Sequence, residues 1–146
     1  MNRRGVTLIE LVLVVAIVGL IAGLSFPAVN SGIDSIRLQS AANSVASFLN
    51  GAMNRAERRQ SVIEVVIDPQ ANQLALHSSE AGYQRTLEMP PHVALAGDQP
   101  HTLLFLPGGS VPRFAIDLVN GRGARKRVSV DPISGAPQIS IPPEGQ

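Results

Sequence analysis

An uncharged run from Leu11 to Ile33 governs what this chain can become: twenty-three residues, most of them aliphatic, follow a lone carboxylate at Glu10. About 20 apolar residues suffice to carry a helix across a bilayer. A secretory signal peptide has a shorter apolar stretch, about 7 to 15 residues, closed by a small-residue cleavage site. Here the run continues past Pro27 into a helical pattern without a polar break. Arg3 and Arg4 supply a basic flank, and their pairing invites a twin-arginine export reading that the flank already explains. A plain signal anchor stays open as the competing reading.

Glu10 needs its own account, because a charge near hydrocarbon costs roughly 2.5 to 3.5 kcal/mol even on lenient insertion scales. A local explanation exists. A carboxylate in the first turn of a helix is favoured by the macrodipole, and this reading is available from the residues alone. Within the run, Gly19 and Gly23 form a G-x-x-x-G pair with Ala16 and Ala22 nearby, a spacing that lets helices approach closely. Pro27 lacks an amide donor and should kink or melt the helix there.

Beyond Pro27, Ile33, Ile36, Ala41, Val45, Phe48, Leu49, Ala52, Met53 and Ala56 recur at helical spacing. The pattern predicts one helix from about Thr7 to Arg59, its second half packing that stripe on a sheet. After "ERRQ" the period changes to that of strands. "SVIEVVID" and "QLALHSS" flank "PQAN" as a hairpin with turn residues Pro69 and Asn72, and "YQRTLEM", "VALA", "TLLFLP", "RFAIDLVN", "KRVSVD" and "PQISI" follow as further strands. A helix followed by strands with short connections implies an α+β fold with antiparallel sheet.

Reaction chemistry is thin. The chain has no cysteine, which removes disulfides and thiolate sites. His77, His92 and His101 lie in separate segments without ligand spacing and read as surface or loop histidines, and no carboxylate pair stands out as an acid/base couple. "PGGS" at Pro107 to Ser110 is a turn, since no lysine and helix follow it as a phosphate loop requires. No catalytic residue, metal or cofactor is expected. The formal charge is +1, and without Arg3 and Arg4 ten basic residues face 11 acidic ones, a balance of −1. One local cluster stands out in "GRGARKR": Arg122, Arg125, Lys126 and Arg127, a basic contact patch for protein or for nucleic acid.

The opening "RRGVTLIELV" resembles the class III leader of type IV pilins and type II secretion pseudopilins, in which a short basic leader, a glycine, a hydrophobic residue and Thr-Leu-Ile-Glu precede an apolar helix. The resemblance implies that a prepilin peptidase cuts after Gly5, that Val6 becomes the N-methylated terminus, and that the helix is retained. Val6 departs from the phenylalanine more often found there. The resemblance further implies that Glu10 pairs with the amino terminus of a neighbouring subunit, which would give the carboxylate a positive partner in an apolar filament core. Downstream, Ala56, Arg58 and Arg59 before Val62, then Phe105, Pro107, Gly109 and Ser110, then "VSVDPISGAPQIS", resemble the GspH/FimT group of minor pseudopilins and minor pilins.

What this implies is a pilin-like fold in three parts: a leader at 1–5, a membrane or filament-core helix at 6–30, and a periplasmic domain at 31–146 whose helix half covers about 31–59. The implied role is a minor pseudopilin of a type II secretion system near the filament tip, or alternatively a type IV pilus minor pilin. The implied partners are other minor and major pseudopilins, the prepilin peptidase, the inner-membrane assembly platform, and membrane lipid through the helix. The implied location is the inner membrane, single-pass, with the domain in the periplasm. The FimT branch binds DNA through arginines after its last turn, where this chain has Gly135, Ala136, Pro137 and Gln138, so nucleic acid is not expected as a partner.

The leader reading yields the first prediction. Intact mass of the mature protein should begin at Val6 and carry one methyl group, and a bulky or charged residue in place of Gly5 should abolish cleavage. A terminus at Met1, or one near Ala28, would return the anchor or the signal peptide.

Overall fold

A computed structural model describes residues 7–80, 82–109, 111–131 and 134–143, without the side chains of 24–31. Among these the elements are α1 (Leu8–Arg59), β1 (Ile63–Asp68), β2 (Gln73–Ser78), β3 (Gln84–Glu88), β4 (Val93–Leu95), β5 (His101–Phe105), β6 (Ala115–Asn120), β7 (Arg125–Val130) and β8 (Pro137–Ser140). The chain divides into two compact units, Met1–Ile33 and Asp34–Gln146. α1 contributes to both.

The helix starts where Thr7 caps it. The Thr7 carbonyl accepts from the amides of Glu10 at 3.1 Å and Leu11 at 3.2 Å, and its hydroxyl lies 3.4 Å from the Glu10 amide, so donors that the first turn leaves open are satisfied. It stops after Arg59 because Gln60 turns left-handed, with φ of 50°. The Ser61 amide then returns to the Ala56 carbonyl at 3.3 Å, a Schellman-type closure. Glycine usually fills such a position. Gln60 holds it through its own side-chain amide, which donates to the Glu57 carbonyl at 2.7 Å. α1 is one continuous helix through Pro27; the kink expected there falls within 24–31, whose side chains lie outside the described residues.

In the second unit α1 buries Leu38, Ala41, Ala42, Val45, Phe48, Leu49, Ala52 and Ala56. At about 100° per residue these occupy an arc of roughly 120°. Ile33 and Ile36, expected in the stripe, are instead 40% and 70% exposed. They sit roughly 120° and 180° from the centre of the arc, so the face that meets the sheets does not include them. Leu38 and Ala42 hold the in-phase positions, and Met53 is partly buried beside the core.

All eight strands fall where the alternation places them, and they form two antiparallel sheets of four: β3-β2-β1-β5 and β4-β6-β7-β8. The fold is therefore α+β, a helix packed on antiparallel sheets. Both sheets feed one core. Ile63, Val65, Ile67, Leu74, Leu76 and Phe105 come from the first, and Val93, Leu95, Ile116, Leu118 and Val128 from the second. Register is set by the alternation itself: Val65 pairs with Leu76 and Ile67 with Leu74, while Glu64 pairs with exposed His77 on the far face. A slip of one residue would exchange those faces.

A single side chain ties the sheets together. The β1–β2 turn begins at Asp68, whose Oδ1 accepts from the amides of Gln70 and Ala71 at 2.9 and 3.0 Å, and ends at Asn72 with φ of 54°. The Asn72 Nδ2 donates to the Val93 carbonyl and its Oδ1 accepts from the Leu95 amide, both at 2.9 Å. The hairpin of one sheet thus holds β4 of the other. Asn72→Ala should cost about 1 to 3 kcal/mol, because it strands a carbonyl and an amide in a partly buried seam and places alanine in a left-handed conformation. Asn72→Gly should recover only the conformational part. Thermal melting followed by circular dichroism distinguishes the two.

Candidate functional site

The surface that needs an explanation is the first part of α1. Every large apolar side chain from Leu8 to Ile21 is at least 49% exposed, and Leu8 reaches 81%. The apolar residues fall on all sides of the helix, which suits a helix surrounded by lipid or by other chains. Gly19 and Gly23 have open space where a Cβ would stand, so nothing among the described residues occupies that small-residue face. Among the described residues no helix is long and apolar enough to cross a membrane. Side chains of the apolar run are described from Leu11 to Gly23 and again at Gly32 and Ile33, and residues 24–31 join these in sequence.

Glu10 stands in the first turn, as the local reading expects. Its backbone amide is what Thr7 caps, and any residue supplies an amide. The carboxylate is exposed and makes no ion pair among the described residues. The cap therefore leaves the carboxylate itself without a local partner, apart from its favourable place on the dipole. Gly5 and Val6 lie outside the described residues, as does the Pro27 side chain.

The basic loop is not a free patch. The Arg122 Nε donates to the Asp34 Oδ2 at 3.1 Å, and Arg37 lies 3.9 Å from the other oxygen of the same carboxylate. Arg127 grips Asp117 with two bonds, from Nε at 2.7 Å and from a terminal nitrogen at 2.8 Å. The hydrogen bond from Arg127 holds the Asp117 carboxyl below its ordinary value of 3.8, with partial burial opposing it and the charges of Arg127 and Arg125 adding to it. Two of the four cations are thus matched from within, a pairing that spacing alone does not reveal. Arg125 and Lys126 make no ion pair among the described residues.

A second cationic cluster went unread in the sequence. Arg55, Arg58, Arg59 and Arg85 line a groove of about 400 Å³ with Phe48 and Tyr83. Arg55 stacks 3.4 Å from the centroid of Tyr83 and bonds Glu80 at 3.0 Å, while Arg85 lies 5.8 Å from Phe48. Three of the four share a helix face at i, i+3 and i+4, a legible signal. Arg85 joins them only through the β2–β3 pairing that sets it opposite Leu76.

The remaining polar candidates behave as surface residues, His77 and His101 on strands and His92 in a turn. His77, His92 and His101 are exposed, and no group of described residues could hold a metal ion. At the "PGGS" segment the Gly109 amide bonds the Leu106 carbonyl at 3.1 Å, and the Gly108 amide bonds the Glu57 carboxylate at 2.9 Å. It is a turn pinned to α1.

Against known proteins, residues 1–26 match the prokaryotic N-terminal methylation motif. The chain is similar to the Pilin-like protein PilA1 of Thermus thermophilus, with 28% identity over 89% of this chain and 94% of that protein. No solved structure matches. These similarities support a type IV pilin-like chain, and they do not reach the GspH/FimT group.

The Asp117–Arg127 pair carries a pH dependence of known sign. A carboxylate whose pKa is lowered on folding adds stability that is present above its unfolded value, 3.8, and lost as pH falls through the folded value. Asp117→Asn should be less stable than the parent near neutral pH, and the two should converge as pH falls through the lowered folded value of Asp117. Urea unfolding at a series of pH values measures it.

Proposed function

We propose that this chain is a structural, non-enzymatic subunit of a pilin-type filament, inserted in the inner membrane by its apolar helix before assembly, with the domain from Asp34 onward in the periplasm. The observation that carries the reading is an exposed helix, apolar on all sides, headed by a carboxylate with no partner among the described residues. In lipid that charge is costly. Packed against like helices, it would meet the amino terminus of a neighbour, and a pair so formed sets axial register at the point where an unmatched charge would be most unfavourable.

Within this reading we assign the chain to a minor pseudopilin of a type II secretion system, with other minor and major pseudopilins, the prepilin peptidase and the inner-membrane assembly platform as partners. The leader motif and the downstream stretches that resemble the GspH/FimT group support it. A minor pilin of a type IV pilus is the second reading, favoured by the similarity to a protein described as pilin-like. Neighbouring genes for secretion or for pili separate the two.

Glu10→Val should insert in the membrane as well as the parent or better, and the domain should fold, since no described contact from Asp34 onward involves Glu10. Incorporation should fail. Crosslinking to neighbouring subunits at matched protein levels, with secretion or piliation scored alongside, reads it, and Glu10→Asp should be intermediate. Assembly of Glu10→Val at the level of the parent would leave only the first-turn role for this carboxylate.

A further inference from the structure

We propose that the loop before and into β7 is a seat for anionic phospholipid headgroups, which holds the domain against the membrane before assembly. The inference rests on the membrane reading of α1 and extends it to a site on the domain. A groove of about 720 Å³ runs between α1 at Ser35 and Leu38, the loop and β7 at Arg125 and Lys126, and the tail at Ile141 and Pro142. Its place along the chain is fixed by connectivity. Leu11 to Ile33 covers about 34 Å of helix rise against a hydrocarbon core of about 30 Å, and the headgroup layer adds about 5 to 8 Å on each side. Ser35 and Leu38, which line the groove, lie two and five residues beyond Ile33 in the chain, next to the segment that the membrane reading puts in lipid.

The charges suit this place. Asp34, the first carboxylate after the run, is matched by Arg122 and Arg37, and Asp117 by Arg127, so neither presents an open negative charge to a phosphate. Among the described residues Arg125 and Lys126 are left without an ion pair. The loop that presents them is held by buried Asn120, whose Oδ1 accepts from the amides of Arg122 at 3.1 Å and Ala124 at 2.9 Å. Extending the β7–β8 register beyond Arg127 opposite Ser140 brings Ile141, 74% exposed, opposite Lys126. Free cations beside an exposed aliphatic side chain match a surface of phosphates over hydrocarbon, where each basic residue favours anionic lipid. Nucleic acid would use the cations and leave the aliphatic lip in water.

The absence of cysteine makes the test clean, since Pro143→Cys on the rim takes a single environment-sensitive fluorophore. The full chain is placed in lipid nanodiscs of phosphatidylglycerol or of phosphatidylcholine. The emission should shift to the blue in the first and not in the second, and high salt should reverse it. Arg125→Ala with Lys126→Ala should lower the engaged fraction relative to the free one about 30-fold, the factor that corresponds to about 1 kcal/mol for each of two cations. Arg58→Ala with Arg59→Ala, at the far end of α1, should leave it unchanged. Equal shifts in both lipids, a shift that survives the loop variant, or an equal loss in the Arg58 and Arg59 variant overturns the seat while the inserted helix stands. A chain that does not insert overturns the seat and the membrane reading together, and a shift produced by an added oligonucleotide in phosphatidylcholine discs assigns the loop to nucleic acid instead.

Discussion

Burial of one face of α1 between Leu38 and Ala56 under two sheets is the contact on which the rest of the domain depends. The helix supplies eight of the buried core residues and reaches strands of both sheets through them. Four of its buried positions are alanine, at 41, 42, 52 and 56. Such small side chains let the backbone of the helix approach the sheets, and the larger Phe48 and Leu49 fill the space between. Without α1 the inner faces of both sheets would be open to water.

The same helix serves a second environment upstream. From Leu11 to Gly23 its described side chains are apolar on all sides, and after Asp34 they are apolar on one arc only. On the reading proposed above, the change in pattern marks a change of surroundings, from lipid or neighbouring helices to a protein core with water on its far side. Charges are placed accordingly. Glu10 stands at one end of the apolar stretch without a partner among the described residues, while Asp34 at the other is matched by two arginines. A carboxylate matched locally is finished chemically; one left unmatched in an apolar helix is available to another chain.

The cationic residues divide along the same lines. In the Gly121–Arg127 loop, tertiary contacts consume Arg122 and Arg127 and leave Arg125 and Lys126. At the far end of α1, three arginines in the last two turns complement the helix dipole, and β3 adds Arg85 to them. A near-neutral net charge thus conceals two local excesses of positive charge, one at each end of the domain's helix.

How much of this was legible can be argued from particular residues. The strand positions and the helix ends could be read because each depends on neighbours along the chain: alternation between Ile63 and Ile67, the cap at Thr7, the turn residues from Asp68 to Asn72. The leader motif is likewise local chemistry, contained in ten residues. Ile33 and Ile36 were misplaced because hydrophobicity names a residue's preference, and the phase of the helix against the sheets decides whether the preference is met. The two-sheet division, the clamp of Asn72 on β4, the neutralisation of Arg122 by Asp34 across 88 positions and the union of Arg85 with the helix arginines were not legible at all. Sequence determined what depends on periods of two and of 3.6 and on short turns, because those interactions close within a few residues. Only tertiary structure decided which charges remain free, because a charge is satisfied by whatever folding brings within about 4 Å of it, and that distance carries no trace in the order of the chain.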